Sequence, residues 1–168
     1  YDSLESLEQS YQAAKAFGHF QQQLCDLPGP PLFETIKDFH CGYNRLNQFK
    51  EALKKDSHNR AATAKTEIDF LLNNAGIYDV FPKLTQAGKI PVRTTHNDTK
   101  VNNVMIDDKT HEGICVIDLD TVMPGLALYD YGDIARTTVS SAQEDEPDLS
   151  KIYVETDRFE AFTKGYLF

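Results

Sequence analysis

The stretch from Thr95 to Asp133, THNDTKVNNVMIDDKTHEGICVIDLDTVMPGLALYDYGD, narrows the folds open to this chain more than any other. It carries two clusters of polar and acidic groups, each at the end of an apolar, β-branched run. In the first, His96, Asp98 and Asn103 stand in the order His-x-Asp-x-x-x-x-Asn; in the second, Val116 and Ile117 lead into Asp118-Leu119-Asp120. The run between them reads as a β-hairpin, with Asn103 to Ile106 going out, Asp107 to Gly113 turning, and Ile114 to Ile117 coming back. Antiparallel pairing then folds Asp98 and Asn103 beside Asp118.

Carboxylates and an amide gathered at the mouth of a hairpin suit a hard cation. Magnesium takes oxygen ligands, one or two of them from protein carboxylates, with substrate phosphates and water completing its shell. A further Asp kept off the metal can accept a hydrogen bond from an alcohol and aim it at phosphorus. Phosphoryl transfer asks mainly for such positioning and for charge neutralisation. Taken singly, Asp98, Asn103 or Asp118 would each read as a turn cap; their order and spacing together argue for a site.

The 168 residues, 40% of them hydrophobic, suffice for one compact core, so a single domain or part of one is expected. No apolar run approaches the roughly 20 residues of a spanning helix, so no membrane role is expected. A net charge of −9 and a pI near 4.9 argue against nucleic acid, whose phosphates call for clustered Lys and Arg. Cys25, Cys41 and Cys115 are odd in number and lack metal spacing, which fits a reducing cytoplasm. The opening Tyr1-Asp2-Ser3 has neither an initiator Met nor a basic leader, and an excised segment of a longer protein is expected.

Taken in order, Leu4, Leu7, Tyr11, Ala14, Phe17 or Gly18, Gln21 and Leu24 mark a long amphipathic helix that ends before Pro28-Gly29-Pro30-Pro31. A short connection with His40 and Cys41 follows, short of the further ligands a metal site needs. Tyr43, Leu46, Phe49 and Leu53 mark a second helix. Ala64, Ile68, Leu71, Leu72 and Ala75 mark a third, stopped by Gly76. One helical turn is expected around Phe81 to Leu84, then a strand from Pro91 to Thr95. Met123-Pro124-Gly125 should break the chain, and a helix should begin near Asp130. Ser140 to Ser150 reads as a solvated acidic loop, and Asp157 with Glu160 as the capping box of a last helix through Phe159, Phe162 and Tyr166. The sum is one mostly helical body with a small β insertion, an α+β fold.

Two of these motifs carry a resemblance. His96-Asn97-Asp98-Thr99-Lys100-Val101-Asn102-Asn103 resembles the catalytic loop of the protein-kinase-like superfamily, and Ile117-Asp118-Leu119-Asp120 its metal-binding Asp segment. The pattern is closer to the aminoglycoside phosphotransferase and choline kinase branch. Within it, HNDTKVNNVM…CVIDLDTVMPG…YDYGD is similar to the N-acetylhexosamine kinases, which phosphorylate the anomeric hydroxyl of an amido sugar with ATP and magnesium. In detail the likeness spans Thr95 to Arg136.

The resemblance implies that Asp98 is the catalytic base, that Lys100 contacts the transferred phosphate, and that Asn103 and Asp118 ligate the metal, with Asp120 a further metal or substrate contact. His96 would hold the loop, and Asp133 would be the buried helix-start Asp that braces the loop backbone. The resemblance further implies that residues 1–168 are part of the C-terminal lobe of a kinase-like fold. No two glycines stand as Gly-x-Gly, and no Val-Ala-x-Lys strand precedes the loop, so a separate N-terminal nucleotide-clamping lobe is expected to complete the enzyme. The final helices are expected to lie outside the chain as well, and the chain alone should be inactive. Choline, ethanolamine, homoserine and aminoglycoside acceptors stay open beside the amido sugar, because Asp130 and Tyr129 suit a cation while Asn97, Asn102 and Thr121 suit a neutral sugar. A non-catalytic binding module is the other class of reading; the filled base and metal positions speak against it.

Overall fold

The computed structural model describes residues 6–142 and 145–168. Leu4 and the Gln143-Glu144 part of the acidic loop, both read from the sequence, lie outside the described residues. Helix dominates, at 55%, with small antiparallel sheets beside it, an α+β fold. The chain forms two compact units rather than one body: residues up to Thr35 together with Val92–Phe168, and the intervening Ile36–Pro91.

The first unit is organised by helix α1, Leu7–Gln23, whose N-cap Ser6 accepts a hydrogen bond from the Gln9 amide. Its buried face runs through Ser10, Ala13, Ala14, Phe17 and Gln21, whereas Leu7 is 48% exposed. The stripe is thus rotated from the one expected. Small residues dominate it because helix α6, Thr156–Tyr166, lies against it at backbone distance. A Cβ at Gly18 would collide with the Tyr166 carbonyl, and one at Gly165 with the Tyr11 carbonyl, so each helix contributes a glycine to the crossing. Helix α5, Ala127–Thr138, completes the helical layer, and Tyr131 packs on Phe162 and Tyr166.

The expected hairpin is present. Strand β2, Val104–Ile106, pairs antiparallel with β3, Gly113–Val116, with Val104 opposite Val116 and an irregularity between Met105 and Ile106. Val104 joins Ala13, Ala14, Phe17, Ile134 and Phe162 in the buried core, and Ile106 and Val116 pack against it. A second small sheet pairs β1, Arg93–Thr95, with β4, Met123–Gly125. This corrects the reading of Met123-Pro124-Gly125 as a break. Pro124 can occupy a two-stranded ladder because such a strand needs few N–H donors. Gly125 is required, since a Cβ there would run into the Thr95 hydroxyl and the Asn97 side chain.

Helix α6 also departs from expectation. Its N-cap is Glu155, with no side-chain cap bond, so Asp157 and Glu160 form no capping box; Glu160 instead pairs with Lys164 at 2.6 Å. The cause is tertiary. An antiparallel bridge between Ser140 and Val154, with the Glu155 amide bonded to the Val139 carbonyl, holds the chain extended up to Glu155 and sets where the helix can begin.

The second unit holds helix α2, Gly42–Lys55, helix α3, Lys65–Asn73, and helix α4, Val80–Gln86, with short 3-10 turns at Ala61–Ala64 and Ala75–Asp79. Gly76 lies inside the second turn, so Asn74, not glycine, closes α3. The expected stripe of α3 stays largely in solvent, with Leu71 42% and Leu72 37% exposed.

Candidate active site

The loop between β1 and β2 is built on a buried carboxylate. Asp130, fully buried in the first turns of α5, accepts hydrogen bonds from the backbone amides of His96 at 2.9 Å and Asn97 at 2.7 Å. It takes a third from Gln21 Nε2 on α1, at 2.6 Å, and its own carbonyl receives the Thr99 hydroxyl at 2.6 Å. Burial pushes the Asp130 carboxyl above its ordinary value, opposed by its three N–H donors.

This brace had been expected of Asp133. Asp130, Ile134 and Thr138 recur at one helical repeat and form the buried stripe of α5, whereas Asp133 lies off that stripe and pairs with Arg136 at 3.1 Å. Gln21 had carried no site role in the sequence; its only signal was a polar residue on an otherwise small and apolar helix face. Its Oε1 is buried and has no partner among the described residues.

Asn97 locks the loop to β4. Its φ is +67°, a left-handed conformation that Asn tolerates better than most residues. Its side chain accepts from the Thr95 hydroxyl and donates to the carbonyls of Thr95, Thr121 and Met123. Thr121 in turn donates to the His96 carbonyl at 2.7 Å. Asn97, Thr121 and Asp130, three of the groups considered as acceptor contacts, are therefore committed to holding the loop.

His96 sits where the resemblance places a structural residue. It is fully buried, edge-on to Phe17 and Phe20. The Asp98 amide donates to its Nδ1 at 3.3 Å, so the ring proton lies on Nε2, which donates to the Ile117 carbonyl at 2.9 Å. One ring thus ties the Asp98 segment to the end of β3, immediately before Asp118.

Asp98 emerges from this frame with its side chain 23% exposed and accepts from Lys100 Nζ at 2.9 Å. Its carbonyl receives the Lys100 amide and, at 2.8 Å, Asn103 Nδ2. Because that nitrogen is committed, the atom Asn103 can present elsewhere is its oxygen. Asn103 is buried, and its carbonyl accepts the Ile117 amide at 2.9 Å. The hairpin thereby brings Asn103 level with the residue before Asp118, as the sequence pattern required.

Asp118 is exposed and takes a left-handed backbone, φ +61°, which turns the chain from β3 into the 3-10 turn Leu119–Thr121 that carries the exposed Asp120. The Lys100 ammonium is held above its ordinary value, first by its bond to Asp98 and further by the fields of Asp98, Asp133 and Asp118. Lys100 therefore sits in a field shared by the expected base and an expected metal ligand.

The donor set fits a hard cation, being all oxygen. No group of three or more His, Cys, Asp or Glu side chains gathers to hold a metal among the described residues. Two protein oxygens, from Asn103 and Asp118, match an ion whose other ligands come from phosphates and water.

A buried acid that braces a His-Asn-Asp loop, joined by a hairpin to a second acid, is consistent with a lobe of the kinase-like class. The sequence model of the phosphotransferase enzyme family matches residues 2–159, nearly the whole chain. The chain belongs to that family, the aminoglycoside phosphotransferase branch of the protein-kinase-like superfamily. No helix among the described residues is long and apolar enough to cross a membrane.

Proposed function

We propose that this chain carries the catalytic loop and metal ligands of an ATP- and magnesium-dependent kinase that phosphorylates a small-molecule hydroxyl, most specifically the anomeric hydroxyl of an N-acetylhexosamine. The observation that carries this reading is the position of Asp98: a partly exposed carboxylate, paired with a lysine, on a loop whose backbone is fastened to buried Asp130.

In this reading the acceptor O–H donates to Asp98, which orients the oxygen towards the terminal phosphorus and takes its proton. The new O–P bond forms as the bond to the leaving ADP oxygen breaks. Lys100 exchanges its bond to Asp98 for one to the transferred phosphate, which leaves the carboxylate open to the acceptor. Asn103 and Asp118 would hold magnesium, with Asp120 as a further oxygen in the same turn; bound there, the ion would neutralise charge on the phosphates. His96 keeps the base and the metal segments in register.

The nucleotide clamp is proposed to come from an N-terminal lobe in the natural protein, since neither a Gly-x-Gly loop nor a Val-Ala-x-Lys strand occurs in these residues. Without that clamp most of the positioning is lost, and the 168-residue chain alone is expected to transfer no phosphate. The odd count of three cysteines, without metal-type spacing, supports a reducing, cytoplasmic setting.

The test is ADP release by the natural protein that carries this chain, with ATP and magnesium, against N-acetylglucosamine, N-acetylgalactosamine, choline, homoserine and an aminoglycoside. Release with the amido sugars is expected. Release with a cationic acceptor alone would replace the substrate, and silence with all five despite nucleotide binding would contradict the reading.

A further inference from the structure

The carboxylate of Asp130 meets three N–H donors. Its Oδ1 accepts the Asn97 amide, and its Oδ2 accepts both the His96 amide and Gln21 Nε2. The two backbone groups are set by the loop and have no oxygen to offer in return. Gln21 differs, because one side-chain amide carries both a donor and an acceptor. The donor lies 2.6 Å from Asp130, and the acceptor, Oε1, is buried with no partner among the described residues. Rotation of the amide about its last torsion exchanges the two atoms.

A carboxylate among donors is satisfied while it is ionised, but the neutral acid has a proton to place. Burial holds the Asp130 carboxyl above its ordinary value, which brings that neutral form closer than at an exposed aspartate. Gln21 Oε1 can take the proton's hydrogen bond, and Nε2 serves the ionised form. The other titratable groups in the field of Asp130 are occupied. His96 Nδ1 accepts the Asp98 amide and Nε2 donates to the Ile117 carbonyl. Tyr166 of α6, held above its ordinary value first by burial and then by the charge of Asp130, donates to the Ala127 carbonyl at 3.1 Å; Arg93 of β1 bears on Tyr166 in the opposite sense.

The placement of Gln21 extends its reach to the base. It lies in the last turn of α1, one turn after Phe17, and Phe17 and Phe20 hold the His96 ring edge-on with centroids 5.3 and 5.6 Å away. The crossing at Gly18 seats α1 on the Tyr166 backbone. One end of α1 therefore grips both the ring and the acid that fix His96 and Asn97, and Asp98 is the next residue in the chain.

We propose that Gln21 is a positioning residue for phosphoryl transfer: by presenting Nε2 or Oε1 to Asp130, it keeps the Asp98 loop in one geometry whether Asp130 is ionised or protonated. The proposal rests on the phosphotransfer reading of Asp98, and Gln21 acts through Asp130 rather than on the reacting atoms.

In the natural protein that carries this chain, kcat, both KM values and amide exchange at His96 and Asn97 are measured from acid to alkaline pH for wild type, Gln21→Leu and Gln21→Glu. Dividing each variant by wild type at the same pH removes the titration of Asp98 itself. Gln21→Leu has similar size but neither donor nor acceptor. Its kcat should fall about tenfold, and further at acid pH where the Asp130 proton has no acceptor, with both KM values within about twofold of wild type. Gln21→Glu sets a second carboxyl against Asp130, and the pair can hold the loop by sharing one proton. Its kcat should stay within about twofold of wild type at acid pH and drop as pH rises, when both acids ionise and repel. Flat ratios in either variant, or slopes of the same sign, overturn the two-state pairing; a wild-type kcat in Gln21→Leu overturns the positioning role. Should the added carboxyl unfold Gln21→Glu, the acid-side slope of Gln21→Leu decides alone. A wild type that releases no ADP with any acceptor at any pH refutes the phosphotransfer reading and the catalytic role with it, while exchange at the two amides still shows whether Gln21 holds the loop.

Discussion

Asp130 and Asp98 stand on two halves of one site and are treated in opposite ways. Asp130 is fully buried and accepts three N–H donors; Asp98 keeps a partly exposed carboxylate that pairs with the more exposed Lys100. The first half, His96 and Asn97 with Asp130, Gln21 and Thr121, is saturated with internal bonds. The second half, Asp98, Lys100, Asp118 and Asp120, presents its charge outward. A catalytic group must change partners during a reaction, whereas the backbone under it must not move. In the proposed mechanism these tasks fall to two acids, a buried one that fixes geometry and a partly exposed one that would do the chemistry.

That separation makes the two halves respond differently to substitution. Asp130→Ala leaves two backbone amides and the Gln21 amide without an acceptor in a buried place, and at roughly 1–3 kcal/mol per stranded donor the loss is about 3–5 kcal/mol. Urea unfolding checks this, and a loss below about 1 kcal/mol would show that the brace is dispensable. Gln21→Leu removes one donor from Asp130 together with an unpartnered buried oxygen, so a smaller loss of about 1–2 kcal/mol is expected. Amide hydrogen exchange at His96 and Asn97 should quicken in the same variant, which a simple core defect would not single out.

The balance at Asp130 also has a pH signature. Its folded-state carboxyl is raised above the ordinary value of 3.8, with burial outweighing the three donors. The folded protein then binds this proton more readily than the unfolded chain does. The contribution to stability is fully present below the ordinary carboxylate value and is lost as pH rises through the raised folded value. The advantage of wild type over Asp130→Asn should therefore shrink as pH increases. An advantage that grows with pH would mean that the hydrogen bonds outweigh burial. Lys100→Met, at the exposed end of the comparison, should change stability by no more than about 0.5 kcal/mol in thermal unfolding.

What was legible in the sequence follows the same divide. The His-x-Asp-x-x-x-x-Asn order, the hairpin and its return into Asp118 are local patterns, and the register of Val104 against Val116 follows from them. The choice between Asp130 and Asp133 was not local. A helix expected to begin near Asp130 does not by itself say which of its acids turns inward; the burial of Asp130, Ile134 and Thr138 depends on the loop and on α1 lying against that helix. Strand β4 was hidden for a related reason, since Pro124 and Gly125 carry no strand propensity, and their pairing is imposed by Thr95 and Asn97 across from them. Gln21 lies 109 residues from the group it holds, a separation that no helical periodicity reports.

The division of labour between the two acids is tested most directly by Asp98→Asn in the natural protein, with turnover and magnesium-ATP affinity measured side by side. Loss of a general base should lower kcat by about 10²–10⁴, with nucleotide affinity and unfolding free energy close to wild type. Retained turnover, or an equal loss of turnover and nucleotide affinity, would contradict the assignment of Asp98 as the group that acts while Asp130 holds.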